Sequence, residues 1–137
     1  MMVYITNSEK ETFDIAYNLA SKVKENKVVC LNGELGAGKT VFVKGFCDFF
    51  GIKEISSPTF TLVNEYEGDR TVFHFDVYRL ADEDEFYAIG GEEYFESGIC
   101  IIEWSDVISD AIPKDAIDIR IEKLDDNVRK ITILNEE

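Results

Sequence analysis

Cysteine and histidine are scarce in this sequence, and their placement excludes several kinds of site. The three cysteines among its 137 residues, Cys30, Cys47 and Cys100, are far apart and form no C-x-x-C pair. An odd number of widely spaced cysteines in apolar stretches indicates buried free thiols in a reducing compartment rather than a disulfide framework. His74 is the only histidine, so a zinc site built from several histidines is excluded.

Positive charge and long apolar runs are also scarce. The chain has 14 basic against 28 acidic residues, a formal net charge of -14, and contains no basic tract. Because contacts to nucleic-acid phosphates need clustered Lys and Arg, we expect no direct nucleic-acid binding, and the acidic surface favours solubility or a basic partner. No apolar run approaches the roughly 20 residues of a membrane helix, and the N-terminus does not resemble a signal peptide. We therefore expect a cytoplasmic protein without membrane attachment.

What the sequence does contain is typical of one α/β domain, which we place at residues 1–137. Hydrophobic residues make up 45% of the chain, enough for a substantial core. Short apolar runs at 3–6, 28–32 and 99–104 predict strands, and apolar spacing predicts helices from about 9 to about 24 and from Lys39 to Gly51. Alternating segments predict two antiparallel hairpins, 59–68 with 71–80 and, at the C-terminus, 116–124 with 128–136.

The segment 33–40, Gly-Glu-Leu-Gly-Ala-Gly-Lys-Thr, is a complete Walker A pattern. It lies between a predicted strand and a predicted helix, which is the order that a phosphate-binding loop requires. The glycines let backbone N–H groups surround phosphate oxygens, and the helix N-terminus adds its dipole. We expect Lys39 to reach the β- and γ-phosphates, with a catalytic role, and the Thr40 hydroxyl to ligate Mg²⁺.

Two acidic residues at strand ends are candidates to complete a magnesium site. Glu103 ends the run Ile-Cys-Ile-Ile-Glu, and Asp76 ends Val-Phe-His-Phe-Asp. Glu103 follows the cleaner apolar run, so we assign it to the metal and Asp76 to orienting the attacking water, although the two roles can be exchanged. Thr59 and Thr61 follow the P-loop helix, where switch-type NTPases place a Thr that closes over the γ-phosphate; an ordinary turn role is equally compatible.

The choice of nucleotide and of reaction depends on motifs that the chain lacks. No Asn-Lys-x-Asp guanine-reading motif is present, which favours ATP over GTP. No arginine-rich lid segment is present either, which disfavours a small-molecule kinase, because such kinases clamp a second phosphate with several arginines. A small-molecule kinase and a non-catalytic nucleotide-sensing module remain the alternatives to an ATPase.

Four segments in order resemble the TsaE (YjeE) family, which consists of small bacterial P-loop ATPases of tRNA threonylcarbamoyladenosine (t6A) synthesis. They are LNGELGAGKTVFVKGF, SPTFTLVNEY, FHFDVYRL and GGEEYFESGICIIEWSD, and the resemblance covers about residues 3–115. It implies a P-loop NTPase-like three-layer sandwich whose mixed sheet carries antiparallel strands. It also implies weak, Mg²⁺-dependent ATP hydrolysis that regulates or resets the TsaB and TsaD proteins, whose complex modifies adenosine 37 of tRNA. The tRNA would be met only through these partners.

The same resemblance assigns roles to individual residues. The family's magnesium ligands fall on Thr40 and Glu103, and its catalytic aspartate falls on Asp76. Its Ser-Pro-Thr motif falls on 57–59, which makes Thr59 a nucleotide contact, and its base contacts fall near Asn7 and Arg129. Its phosphate loop covers Gly33, Glu34, Leu35, Gly36, Ala37, Gly38, Lys39, Thr40 and Val41.

Overall fold

The computed structural model describes residues 1–56, 58 and 62–135. Within these residues, three α-helices accompany seven strands, together with 3₁₀ segments at Gly91–Glu96 and Ser105–Ala111. The helices are α1 (Glu9–Ser21), α2 (Lys39–Phe49) and α3 (Glu83–Ala88). The strands are β1 (Met2–Thr6), β2 (Val28–Gly33), β3 (Val63–Glu67), β4 (Thr71–Asp76), β5 (Ile99–Glu103), β6 (Ile117–Lys123) and β7 (Arg129–Leu134).

All seven of these strands belong to one mixed sheet with the order β1-β7-β6-β2-β5-β4-β3. The four central strands, β6, β2, β5 and β4, run parallel to one another. The outer strands pair antiparallel, β3 with β4 on one side and β7 with β6 and β1 on the other. The predicted fold class is therefore confirmed, including the hairpin of β3 and β4 and the C-terminal hairpin of β6 and β7.

The sheet is the middle of three layers because successive side chains on each strand point to opposite faces. Leu31 of β2 and Ile101 of β5 pack with α1 and α2 in one core cluster. Their neighbours Cys30 and Ile102 pack on the other face with Phe86 of α3 and with the 3₁₀ segments. The continuous apolar runs of β2 and β5 are explained by this burial on both faces.

Helix α1 begins as its sequence predicts and ends earlier. Its N-cap residue Ser8 accepts a hydrogen bond from Glu11 N at 3.1 Å, and the Glu11 carboxylate accepts one from Asn7 N at 2.7 Å. The predicted end near residue 24 is three residues too late, because the last turn tightens to i→i−3 bonds, with Val23 N bonded to Ala20 O at 3.1 Å. Val23 remains buried, which is why the apolar spacing extends beyond the α-helix.

The three cysteines are buried free thiols, as expected. Burial in apolar surroundings raises the pKa of Cys30 to about 11 and those of Cys47 and Cys100 to about 12. Neutral thiols of this kind behave as small apolar side chains. In the described part of the chain, no helix is long and apolar enough to cross a membrane.

Candidate functional site

The candidate site lies at the edge of the sheet where the parallel strands β2, β5 and β4 end. Glu103 of β5 is in register with Leu31 of β2 on one side and with Asp76 of β4 on the other. Strand alternation places both carboxylates on the face that α1 and α2 cover, and α2 begins at this edge, directly after the Walker A loop. The register therefore brings the predicted loop, Asp76 and Glu103 together.

The loop between β2 and α2 has the backbone of an anion cradle. Gly36 and Gly38 adopt positive φ angles of 82° and 108°, which residues with a side chain rarely adopt. Gly38 caps α2 without a side-chain hydrogen bond to the first turn, so the N–H groups at the start of the helix are left for a ligand. A Cβ atom at Gly33 would lie 2.7 Å from the Ile121 carbonyl oxygen, which requires glycine at the start of the loop. The loop thus fits a phosphate chain.

Lys39 is held between a carboxylate and an aromatic ring. Its Nζ lies 3.6 Å from Glu103 Oε1 and 4.7 Å from the centre of the Trp104 ring. The Lys39 and Glu103 side chains are only 9% and 13% exposed, so little solvent screens the pair. Trp104 adopts a left-handed backbone conformation with φ of 63°, directly after the strand that ends in Glu103. These contacts keep the ammonium group at the mouth of the loop.

Glu103 has a second partner that the sequence did not indicate, the buried His74 of β4. His74 Nε2 donates to Glu103 Oε2 at 2.6 Å, since an ionised carboxylate only accepts. The hydroxyl of Tyr66 lies 3.4 Å from His74 Nδ1, and it donates to Ser56 O at 2.6 Å. The available signal was that His74 shares a face with Asp76, two residues later on the same strand.

Asp76 is half-buried and lies one strand further from the P-loop than Glu103. Its Oδ1 accepts a hydrogen bond from Tyr78 N at 3.0 Å, in the turn that ends β4. Because neighbouring strands are about 4.8 Å apart, Glu103 is the carboxylate nearer the loop. The assignment of Glu103 to the metal and of Asp76 to the water remains a prediction, with Glu103 the closer of the two to the loop.

Arg129, at the start of β7, contacts the P-loop itself. Its Nε donates to Ala37 O at 2.8 Å and its Nη2 lies 3.4 Å from Gly36 O. Its Nη1 donates to carbonyls of the β6–β7 turn, including Asp125 O at 2.8 Å. The side chain therefore ties the phosphate loop to the C-terminal hairpin, a contact that the sequence did not reveal.

Two of the clefts beside the loop also contain predicted site residues from other parts of the chain. The first, of about 380 Å³, contains most of the predicted site residues, and the second, of about 470 Å³, lies between the start of α1, Gly38 and the β6–β7 turn. Asn7 lines only the second cleft and Arg129 lines both. Of the predicted residues, those lining the first cleft are Leu35, Gly36, Gly38, Lys39, Thr40, Val41, Asp76, Glu103 and Arg129.

The other predicted residues have different positions. Gly33 and Glu34 line a separate cleft beside β6, and Ala37 is the buried residue of the loop's central part. Thr59, like Ser57 and Thr61, lies outside the described residues.

The oxygen ligands at this edge suit a hard cation that takes its remaining ligands from the phosphates of a nucleotide. Among the described residues, no group of three or more His, Cys, Asp or Glu could hold a metal by itself. Mg²⁺ is usually held by one or two carboxylates together with substrate phosphates and water. The exposed Thr40 hydroxyl, in the first turn of α2, and the Glu103 carboxylate fit that smaller set.

Comparison with known proteins finds one family along most of the chain. Residues 6–131 match the family described as "Threonylcarbamoyl adenosine biosynthesis protein TsaE". The protein of that name from Bacillus subtilis is 42% identical over 130 residues, which cover 93% of this chain and 81% of the relative. Its counterpart from Treponema pallidum is 40% identical over 131 residues, which cover 94% and 97%. The crystal structure of YdiB from Bacillus subtilis superposes with a TM-score of 0.79 at 35% identity, covering 96% of this chain and 83% of that one.

Proposed function

Because the chain belongs to the TsaE family, we propose that it is a Mg²⁺-dependent ATPase of tRNA t6A biosynthesis that acts with the TsaB and TsaD proteins. The observation that carries the proposal is the meeting of the Walker A loop with Glu103 and Asp76 at one sheet edge. A phosphate cradle beside two carboxylates is the arrangement that P-loop hydrolysis requires.

The loop and the start of α2 supply the contacts to phosphate. Backbone N–H groups of 36–40 would hold the β- and γ-phosphates, and Lys39 would leave Glu103 to balance their charge. Thr40 and Glu103 would hold Mg²⁺, which when bound draws charge from the β- and γ-phosphate oxygens. Asn7 and Arg129 stand at the second cleft, where we place the base, and Thr59 remains a proposed nucleotide contact.

Asp76 would orient the attacking water. The hydrogen bond from Tyr78 N fixes one carboxylate oxygen, so the side chain is held at the strand end. Its other oxygen would accept a hydrogen bond from the water and align it with the γ-phosphate. Orientation of this kind, rather than covalent chemistry, is the protein's main contribution to phosphoryl transfer.

The acidic surface supports the proposal that the partner proteins, and not this chain, bind the tRNA. A chain of net charge -14 is poorly suited to hold tRNA. We therefore place the tRNA and the transfer of the threonylcarbamoyl group on the TsaB–TsaD complex. ATP hydrolysis by this chain would regulate or reset that complex.

The test measures ATP turnover by the isolated protein and again with its cognate TsaB–TsaD complex, for the wild type, Lys39→Ala and Asp76→Ala. We expect slow turnover alone and faster turnover with the complex. Lys39→Ala should lose nucleotide binding and turnover, whereas Asp76→Ala should bind ATP and lose turnover. Lys44→Ala is the matched control, because Lys44 is exposed on the same helix.

The same assay separates the alternatives. If the complex neither binds the protein nor needs it for repeated rounds of t6A formation, the proposed pathway is wrong. ADP formation that depends on a metabolite and on no partner would indicate a small-molecule kinase. Full cellular function of Asp76→Ala, with loss of function in Lys39→Ala, would indicate a non-catalytic nucleotide sensor.

A further inference from the structure

We propose that His74 is a positioning residue that fixes the orientation of the Glu103 carboxylate, so that one oxygen is bonded to the imidazole and the other faces the P-loop. The inference rests on the proposed function, because the orientation of Glu103 matters only if the site takes a cation with its nucleotide. It assigns a role to a buried polar side chain that the mechanism above does not use.

The contacts of Glu103 divide cleanly between its two oxygens. Oε2 accepts from His74 Nε2 at 2.6 Å, and Oε1 lies 3.6 Å from Lys39 Nζ. A carboxylate held at one oxygen by a buried donor cannot rotate without losing a charge-assisted hydrogen bond. His74 therefore fixes the direction in which the remaining Glu103 oxygen faces the loop and a cation bound beside it.

Packing alone does not explain a histidine at this position. His74 is 3% exposed and lies on the same face of β4 as Val72, which is fully buried in the core between the sheet and α1/α2. An apolar residue would suit such a face, since a buried imidazole must find hydrogen bonds to offset its desolvation. Its Nε2 donates a hydrogen bond to Glu103, the carboxylate that we propose as the metal ligand.

The other side of the imidazole leads to the segment that enters Pro58. The Tyr66 hydroxyl, 3.4 Å from His74 Nδ1, accepts from Ser56 N at 3.1 Å and donates to Ser56 O at 2.6 Å. Ser56 also lines the first cleft. The Tyr66 ring lies beside the imidazole, with ring centroids 6.2 Å apart, and its hydroxyl is held by Ser56. Tyr66 therefore limits the ring's freedom to turn away from Glu103.

The experiment uses Trp104, the only tryptophan of the chain, as its probe. The Trp104 ring lies 4.7 Å from Lys39 Nζ and lines the first cleft. We therefore expect its fluorescence to change when a nucleotide binds there. ATP affinity is measured in EDTA and in Mg²⁺, and the ratio of the two affinities is the gain due to the cation. The variants are His74→Gln and His74→Asn, which carry the same amide but differ in reach by one methylene.

The glutamine amide can reach the position of His74 Nε2, whereas the asparagine amide reaches only that of Nδ1. We expect His74→Gln to keep the Mg²⁺-dependent gain and His74→Asn to lose on the order of tenfold of it, the effect of one hydrogen bond to a charged group. ATP affinity in EDTA should be close to wild type in both. His74→Leu, which has no donor, should behave as His74→Asn does.

Val72→Ala is the control for general damage to the strand, because Val72 is buried on the same face of β4. It should lower the melting temperature and leave the Mg²⁺-dependent gain intact. An unchanged gain in His74→Asn and His74→Leu, or an equal loss in His74→Gln or Val72→Ala, overturns the positioning role. Failure of the wild type to bind ATP at all would instead overturn the proposed function, and this inference with it.

Discussion

The contact between Arg129 and the phosphate loop makes Arg129→Ala a sensitive test of how the site is held. The guanidinium donates to Ala37 O at 2.8 Å and to Asp125 O at 2.8 Å, so it joins two segments far apart in the chain. The loop carbonyls must find a partner or water once the side chain is removed. Both the stability of the fold and the order of the loop should therefore fall.

The geometry sets the expected size of the effect. The part-buried bond from Nε to Ala37 O is short and charge-assisted, a type that contributes about 1.5–3 kcal/mol. The 3.4 Å contact to Gly36 O and the exposed contacts to the turn add little. We expect Arg129→Ala to lower the free energy of unfolding by about 2 kcal/mol. Arg129→Lys should recover only part of this loss, because one ammonium group cannot replace the planar fork.

The assays are urea unfolding and fluorescence titration with two ligands, ATP and inorganic triphosphate. If Arg129 acts by holding the loop, both affinities should fall by a similar factor, about tenfold. If it contacts the base, only the ATP affinity should fall. Arg120→Ala is the control, since Arg120 lies on the same hairpin in an exposed pair with Asp106, and such pairs contribute about 0–1 kcal/mol. Wild-type unfolding and wild-type triphosphate affinity in Arg129→Ala would refute the reasoning.

Three further predictions concern the scaffold. Gly45→Ala should lower the free energy of unfolding by about 1–2 kcal/mol despite the gain in helix propensity, because the new Cβ would overlap the carbonyl oxygen of Phe13 in α1. Equal or greater stability in urea unfolding would contradict this close approach. Ser8→Ala should lower the free energy of unfolding by about 1 kcal/mol, because it removes the N-cap hydrogen bond of α1. An unchanged midpoint of urea unfolding would mean that this cap contributes nothing. Burial raises the folded-state pKa of Cys30 from 9.0 to about 11 and those of Cys47 and Cys100 to about 12. The contribution of the buried neutral thiols to stability is therefore intact below pH 9 and is lost as the pH rises above 9. Between pH 8 and pH 10 the free energy of unfolding, measured in urea, should fall by about 1.4 kcal/mol in total for each thiol, because only the unit above pH 9 contributes. The fall should be smaller in Cys47→Ala.

Local patterns predicted the elements well because the signals that set them are themselves local. The buried strand β2, the Ser8 cap and the glycine that ends α2 all follow from adjacent residues. The strand predicted over 71–80 is too long, since β4 ends at Asp76. There the Asp76 carboxylate accepts from Tyr78 N and the backbone turns. The alternation of apolar residues continues past this point, so side-chain bonding to the backbone decided the boundary rather than the pattern.

The site could be predicted as a set of candidates and not as a geometry. Asp76 and Glu103 were recognisable because each ends an apolar strand, but only the parallel register of β4 and β5 shows that they are neighbours. His74 lies in the segment FHFDVYRL and shares a face with Asp76, but no local pattern pairs it with Glu103, which is 29 residues away. The contact of Arg129 with Ala37 spans 92 residues. Such pairings depend on strand order, which a sequence pattern does not specify.

The scarcity of positively charged side chains in the first cleft limits how fast the isolated chain could hydrolyse a nucleotide. Among the described residues that line the first cleft, Lys39 is the only lysine and Arg129 the only arginine, and residues 57 and 59–61 are Ser, Thr, Phe and Thr. Phosphoryl transfer spreads negative charge over the transferred group, and rapid P-loop hydrolysis uses an added arginine, often from a partner. Since Arg129 donates to loop carbonyls, Lys39 is left to face that charge in the proposed reaction. The proposed hydrolysis should therefore be slow for the chain alone and faster with a partner that adds positive charge, which a chain of net charge -14 would attract.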